Sequence, residues 1–196
     1  MLNHAVIRTD RMSGTDDRSQ LVSVKFYDGN GKPADIDNGN LVEIGGLLDG
    51  EREIYEAKAP TANTDKDDLV IVGTPELLYD ERLRALDDFY NKADRPARAY
   101  RLHKGDIFSV TKEAFGPNAT APKVGDTVVA GTDTYLHTSA GAESEIVIGR
   151  VMHIETNGYT YYAIEVRPMQ NLAAPEGGRR LIATVDTFHY GGKSNG

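Results

Sequence analysis

The sequence contains no cysteine and no tryptophan among its 196 residues. The absence of cysteine excludes a disulfide scaffold, a thiolate zinc site, an iron–sulfur cluster and a cysteine nucleophile. A chain of this length buries about 70% of its unfolded surface on folding, so it needs no covalent cross-link. The length suits one large domain or two small ones.

Positive charge is also in short supply. Lys and Arg number 22 against 30 Asp and Glu, which gives a formal net charge of −8. The longest basic run is Arg179-Arg180. Proteins that bind nucleic acids neutralise phosphates with clusters of Lys and Arg. The composition therefore predicts no nucleic-acid partner.

Long apolar segments are missing as well. No uncharged apolar stretch approaches the roughly 18–20 residues that a membrane-spanning helix needs. The start of the chain has no apolar core of the kind found in secretory signals. We therefore expect no membrane partner and synthesis in a cytoplasm.

Alternation of apolar and polar residues between turns rich in Gly, Asn and Asp is typical of β-strands, and it recurs along this chain. A first β-rich unit is predicted at 21–73 and a second at 100–167. The predicted strands are 21–27, 41–44, 52–59, 69–72, 107–111, 127–129, 147–156 and 159–166, and those at 107 and 127 each follow a Gly-Asp turn. The fold class is therefore mainly β (α+β), with two small units that are each sandwich-like or barrel-like.

Three further segments complete the predicted organisation. Residues 1–20 are polar apart from one apolar cluster and form an extended N-terminal arm. Residues 74–99 are a connector with one short amphipathic helix at about 75–92, in which Thr74 is the cap and Pro75 the first helical residue. Residues 168–196 hold one more strand, at 181–190, before a flexible Gly-rich end.

Asn157-Gly158 between two alternating runs predicts a hairpin with a two-residue turn. That turn places Thr156 opposite Tyr159 and Val151 opposite Ile164. The core face then comprises Val147, Gly149, Val151, Tyr162, Ile164 and Val166. The other face comprises Arg150, Met152, Ile154, Tyr159, Tyr161 and Glu165. Because this second face is unusually apolar for a solvated one, either the C-terminal segment or a partner covers it.

The residues that usually carry catalysis form no recognisable motif. The five histidines include no pair at metal-ligand spacing; His153 is expected to pack opposite Tyr162, and His103 to lie on the surface. Serine-nucleophile and phosphate-binding motifs are absent. Residues 35–40 resemble half of a calcium loop, but turn chemistry explains them, as it explains 65–68. We expect no catalytic residue, no cofactor and no metal, although a chance pair of carboxylates stays open as a hydrolase site.

Tyrosine usage favours protein contacts. Ten tyrosines against five phenylalanines suit positions where an apolar ring meets a polar edge, as at interfaces. An arm without its own core becomes ordered on a neighbour. The predicted partner-contact residues are Val6, Ile7, Met152, Tyr159 and Tyr161.

Three stretches carry a family likeness: IDNGNLV at 36–42, LYDER at 78–82 and YRLHKGDIFSVT at 100–111. Together they make residues 5–167 resemble head decoration, or capsid-stabilising, proteins of tailed bacteriophages, which are encoded in the head modules of phages and prophages of Gram-positive hosts. Residues after about 168 are an addition to that pattern.

The resemblance implies a non-enzymatic virion structural protein that binds and stabilises the assembled capsid lattice. Its partners would be the major capsid protein and neighbouring copies of itself, and it would be oligomeric on the capsid. An acidic chain fits the outer capsid surface better than the lumen that faces DNA. The alternative is a surface-exposed β module that binds carbohydrate or a receptor, with Tyr135, Tyr159 and Tyr161 as stacking platforms.

Overall fold

The computed structural model describes residues 4–77, 85–93, 95–141 and 145–167. Over these residues the chain is mainly β, which confirms the predicted fold class. The elements are β1 (Ile7–Arg11), α1 (Ser13–Asp16), β2 (Leu21–Phe26), β3 (Leu41–Leu47), β4 (Ile54–Lys58), β5 (Leu69–Val72), β6 (Ala97–Arg101), β7 (Ile107–Val110), β8 (Thr127–Ala130), β9 (Leu136–Thr138), β10 (Ile146–Asn157) and β11 (Tyr159–Val166). Short 3-10 turns lie at Arg18–Gln20, Lys66–Asp68, Leu86–Asp88 and Lys112–Phe115.

Five strands close into a barrel in the order β2-β4-β3-β5-β6. β2 runs parallel to β4 and antiparallel to β6, and the other pairs are antiparallel. Mostly small side chains fill the interior, which a barrel of so few strands requires. They are Val22, Val24, Ile36, Val42, Ile44, Ala57, Val70, Val72, Ala97 and Ala99. β6 lies partly in the predicted connector, yet it is the strand that closes the barrel.

The other six strands form an open antiparallel sheet in the order β1-β7-β11-β10-β8-β9. The sequence predicted β7, β8, β10 and β11 but not β1 or β9. β9 has only three residues, which is too short for a periodic pattern to be seen.

The predicted extended arm is wrong for residues 5–20. Ile7 pairs with Val110, so β1 is an edge strand of the open sheet. Ala5, Val6, Ile7 and Met12 are buried. The apolar cluster at the start of the chain therefore belongs to the hydrophobic core. Through β1, the same segment also gives β7 a pairing partner on its outer side.

One hydrophobic core joins the two sheets. Leu41, Leu69, Ile71 and Tyr100 extend from barrel strands into the cluster that contains Phe108 and the other buried residues of the open sheet. The two β-rich units therefore pack directly against each other.

The predicted connector helix is wrong where the structure describes it. Residues 74–77 are not helical, and the Leu86–Asp88 turn is 3-10; residues 78–84 lie outside the described ranges. The hydroxyl of Thr74 accepts a hydrogen bond from the backbone N–H of Arg98 at 2.9 Å, so it serves β6 and caps no helix. Buried Asn38 holds the same segment, since its amide accepts from the N–H of Thr74 and donates to the carbonyl of Thr74.

The hairpin register is right near the sheet centre and wrong toward the turn. Val151 pairs with Ile164 as predicted, but Thr156 pairs with Thr160 and not with the predicted Tyr159. In the same way Ile154 pairs with Tyr162, and Glu155 pairs with Tyr161. A β-bulge at Met152 accounts for the slip of one residue.

Two related expectations fail for the same kind of reason, a local irregularity in strand pairing. His153 lies opposite Ala163 and is exposed, so it is not packed against Tyr162. A second irregularity, in the pairing of β10 with β8, leaves Val147 half-buried while Ile146 and Ile148 enter the core. His103 lies on the surface, as predicted. The predicted strand at 181–190 lies outside the described residues.

Candidate functional site

The outer edge of β10 is open toward the end of the β10–β11 hairpin. β8 pairs with β10 only from Ile146 to Arg150, and two backbone hydrogen bonds of Val151, to Gly125 and Asp126, end that contact. Within the described part of the chain, no strand pairs with the outer edge of residues 152–157. Unpaired backbone groups on such an edge can accept another strand.

Two apolar side chains stand exposed along this edge. Met152 is 43% exposed and Ile154 is 42% exposed. Because of the bulge at Met152, Ile154 lies on the same face of the sheet as Tyr162. The residues predicted to share the second face of the hairpin therefore lie on both faces: Ile154 on one, and Arg150, Tyr161 and Glu165 on the other. We call residues 152–157 the hairpin edge.

The remaining predicted contact residues are less accessible than expected. Val6 and Ile7 are buried, which corrects their assignment as partner contacts. Tyr161 is only 1% exposed, and the guanidinium of Arg8 lies 4.1 Å from the centre of its ring. Arg8 also forms an ion pair with Glu155 at 3.1 Å. Part of the apolar face is thus covered by β1, where the sequence had suggested the C-terminal segment or a partner.

Tyr159 is half-buried and tied to the rest of the chain. Its hydroxyl donates a hydrogen bond to Asp87 at 2.8 Å, and its ring meets Tyr161 edge to face at a centroid distance of 6.3 Å. The hydrogen bond to Asp87 raises the pKa of Tyr159, because the protonated phenol is the form that donates. Of the five predicted residues, only Met152 is well exposed.

A cleft of about 360 Å³ lies where the open sheet meets the barrel. We call it the junction cleft. Its lining comprises His4, Asp35, Ile36, Asp37, Asn40, Lys112, Glu113, Gly116, Pro117, Thr134 and Tyr135. The backbone N–H of Leu41 donates to the carbonyl of Thr134 at 2.8 Å, so the loop before β9 is fastened to the start of β3.

One wall of the junction cleft is a histidine–aspartate pair. Nδ1 of His4 lies 2.7 Å from Oδ1 of Asp37. Since an ionised carboxylate only accepts hydrogen bonds, Nδ1 carries the proton. The imidazole stacks on Tyr90 with the ring centres 4.8 Å apart. The backbone N–H of His4 donates to Asp87, which fixes the position of this residue before β1.

Asn40 lies at the floor of the cleft and is 3% exposed. Its Oδ1 accepts from the backbone N–H of Asp37 at 3.3 Å and from the hydroxyl of Thr134 at 3.4 Å. Its Nδ2 has no hydrogen-bond partner among the described residues. A buried donor without an acceptor costs about 1–3 kcal/mol.

Tyr135 forms an aromatic wall of the cleft. Gly116, at φ 91°, lies against its ring, and a Cβ at this glycine would come within 3.4 Å of the ring. Burial and the negative charges of Asp37 and Asp133 raise the pKa of Tyr135, so its hydroxyl stays protonated. The sequence suggested Tyr135 as a stacking platform, and it lies in a cleft; Tyr159 and Tyr161 lie in the hairpin.

Sequence reasoning did not identify His4 or Asn40 as site residues. His4 meets Asp37 only because β1 returns to the open sheet, and no local pattern signals that. Asn40 belongs to the stretch at 35–40, where turn chemistry gave a sufficient explanation. Among the described residues, no group of three or more His, Asp or Glu side chains is placed to hold a metal ion.

No helix in the described ranges is both long enough and apolar enough to span a membrane. Comparison of the chain with protein-family models, with curated proteins and with solved structures finds no match.

Proposed function

We propose that this protein is a virion structural protein that binds and stabilises an assembled bacteriophage capsid, without chemistry of its own. The observation that supports the proposal is the hairpin edge. Its backbone pairs with no strand on its outer side among the described residues, and it carries two exposed apolar side chains on a sheet with a packed core. The resemblance of 36–42, 78–82 and 100–111 to head decoration proteins supplies the functional class.

A rigid edge suits binding to a lattice. An edge strand binds a partner through its backbone, and the side chains that flank it select which partner fits. Because the sheet holds the hairpin in place, little conformational entropy is lost on binding. Many copies on one particle then multiply a modest affinity per copy, and a ligand that binds only the assembled lattice stabilises that lattice.

The same edge suits contact between neighbouring copies. In an antiparallel pairing of two copies centred on Ile154, each His153 would lie opposite the other copy's Glu155. A histidine ring nitrogen and a carboxylate at paired positions can form a hydrogen bond, which favours such a register. The proposed partners are therefore the major capsid protein and neighbouring copies on the outer surface, where a net charge of −8 faces no packaged DNA.

Purified particles of the phage or prophage that encodes the chain test the class of function. We expect mass spectrometry to find the protein in high copy number, and its absence from particles would contradict the proposal.

The role of the hairpin edge is tested with Ile154→Lys and its matched control, Leu47→Lys. Leu47 is an exposed apolar residue of β3 in the barrel, at 49% exposure. We expect Ile154→Lys to weaken co-sedimentation with capsids about tenfold or more while the melting temperature is unchanged. Leu47→Lys should bind like the unmodified protein. Equal loss in both variants would show that added positive charge, not the hairpin edge, weakens binding.

A further inference from the structure

Asn-Gly pairs are the positions in a chain where an asparagine side chain reacts most readily with its own backbone. Attack by the backbone nitrogen of the next residue on the side-chain carbonyl carbon closes a five-membered ring, and glycine leaves that nitrogen uncrowded because it has no Cβ. The sequence contains four such pairs, at 30–31, 38–39, 157–158 and 195–196. The last lies outside the described residues, and the surroundings of the other three differ.

The pair at 38–39 is buried and held by hydrogen bonds. Asn38 is 0% exposed, and its side-chain amide both donates to and accepts from the backbone of Thr74. The N–H of Gly39 donates to the carbonyl of Val72 at 2.7 Å. Ring closure requires that several of these bonds break together, and each buried group left without a partner costs about 1–3 kcal/mol. We therefore expect this pair to react only when the surrounding structure opens.

The pair at 30–31 is exposed, but its reacting nitrogen is engaged. The N–H of Gly31 donates to the carbonyl of Asp28 at 2.9 Å. The carboxylate of Asp28 accepts from the backbone N–H of Asn30 at 2.9 Å and from its side-chain amide at 3.4 Å. A hydrogen bond of this kind contributes about 1 kcal/mol, so breaking the one at Gly31 slows ring closure about fivefold.

The pair at 157–158 is exposed and lacks both kinds of restraint. Asn157 and Gly158 lie at the exposed end of the hairpin, and a Cβ on Gly158 would meet nothing within 4 Å. Among the described residues, neither the side chain of Asn157 nor the N–H of Gly158 has a hydrogen-bond partner. The amide can therefore approach the nitrogen without breaking a bond or displacing a neighbour.

The reaction is intramolecular and consumes only water. The backbone nitrogen of Gly158 bonds to the side-chain carbonyl carbon of Asn157 while the bond from that carbon to Nδ2 breaks. Nδ2 leaves as ammonia with the proton from the N–H of Gly158, and a succinimide ring remains. Water then adds to one ring carbonyl, and the bond from that carbonyl to the nitrogen breaks. Addition at the side-chain carbonyl gives aspartate, and addition at the main-chain carbonyl gives isoaspartate.

We propose that Asn157 is a site of spontaneous covalent modification, at which the folded chain converts asparagine to aspartate and isoaspartate through a succinimide. Either product adds a negative charge at the end of the hairpin edge, near Glu155 in the chain. The isoaspartate form also lengthens the backbone of the turn by one carbon. The inference concerns the chemistry of the chain and does not depend on a role in capsids.

The test incubates the purified full-length chain at neutral pH in water enriched in ¹⁸O and maps its peptides by mass spectrometry over time. We expect the peptide that contains Asn157 to exchange its side-chain nitrogen for labelled oxygen and to separate into aspartate and isoaspartate forms. The Asn30 peptide should convert about fivefold more slowly. The Asn38 peptide should keep its amide while the chain is folded.

Two controls separate the effect of structure from that of sequence. In concentrated urea the hydrogen bonds at Gly31 and Gly39 are lost, so the three peptides should convert at similar rates. Asn157→Gln is the matched variant, because its longer side chain would have to close a less favourable six-membered ring. It should abolish conversion at this position and leave the rate at Asn30 unchanged.

Four results would overturn the proposal. Asn157 could keep its amide in the folded chain, or Asn30 could convert as fast as Asn157 there. The three rates could also differ as much in urea as in the folded chain, which would show that local sequence sets them. Finally, aspartate without isoaspartate at position 157 would show direct hydrolysis of the amide and exclude the succinimide.

Discussion

The barrel and the open sheet solve the problem of strand edges in different ways. In the barrel every strand has two neighbours, so its backbone hydrogen-bonding groups are used internally. The open sheet ends in two edge strands, β1 and β9, and it also leaves the hairpin edge unpaired within the described chain. The described barrel therefore has no strand edge to offer to a partner, whereas the open sheet does.

The two regions also differ in how tightly their strands approach. A Cβ on Gly149 of β10 would lie 2.1 Å from the backbone oxygen of Glu165, whereas a Cβ on Gly46 of β3 would meet nothing within 4 Å. We expect Gly149→Ala to lower the free energy of unfolding by about 3 kcal/mol or more, because backbone must move. Gly46→Ala should change it by less than about 0.5 kcal/mol. Urea unfolding of both variants measures the difference, and equal effects would contradict it.

The buried carboxylate of Asp106 connects the segment that follows the barrel to the segment between β1 and β2. We call this contact the joint between the two regions. After β6, Asp106 accepts from the backbone N–H of Ser13 at 2.9 Å, from the hydroxyl of Ser13, and from the N–H of His103 at 3.1 Å. Asp126 occupies a similar Gly-Asp turn before β8, but it is half-buried and accepts from Lys123 at 2.8 Å.

Replacement of these two aspartates compares the joint with an ordinary turn. We expect Asp106→Ala to cost about 2–3 kcal/mol, because several donors lose a charged acceptor, and Asp126→Ala to cost about 1 kcal/mol. Thermal unfolding monitored by circular dichroism gives both values. A larger loss of stability in Asp126→Ala than in Asp106→Ala would show that Asp106 does not hold the joint together.

The shared core predicts that the barrel and the open sheet unfold together. Ile71 faces the common cluster, while its neighbour Val70 faces the barrel interior. Ile71→Val should lower stability by about 1 kcal/mol and leave a single transition in calorimetry. Two separated transitions in this variant or in the unmodified chain would show that the regions are independent.

The smallest expected effect concerns the contact of the hairpin with residues 86–88. Because the hydrogen bond to Asp87 raises the pKa of Tyr159 in the folded state, this contact stabilises the fold below the ordinary tyrosine range near about 10 and is lost as pH rises through the raised value. A ¹³C NMR titration of the ring should show Tyr159 ionising late. Asp87→Asn should bring its pKa back toward the ordinary range; an unchanged titration would place the cause elsewhere.

The strands were predictable where the pattern was local. Alternation and Gly-rich turns located β2, β5, β10 and β11 closely, because one face of each is buried and the period of two is visible. Closure of the barrel was not predictable, since it depends on β6 pairing with β2 far away in the chain.

The failures share a physical cause, which is that a tertiary contact outweighed a local preference. Thr74 looked like a helix cap, but Arg98 uses its hydroxyl. The bulge at Met152 moved Tyr161 beside Glu155 and beneath Arg8. Among the site residues, Tyr135 could be suggested from its type, whereas Asn40 becomes visible only once its hydrogen bonds can be counted.

The position of β1 has a consequence for the order of folding. β1 precedes the barrel in the chain and its partner β7 follows it, so the barrel is an insertion into the open-sheet unit. A ribosome releases the first edge strand long before the strand that pairs with it, and such distant pairing is slow to form. The barrel can close as soon as β6 emerges, and it then brings the two ends of the insertion together for β1 and β7 to meet.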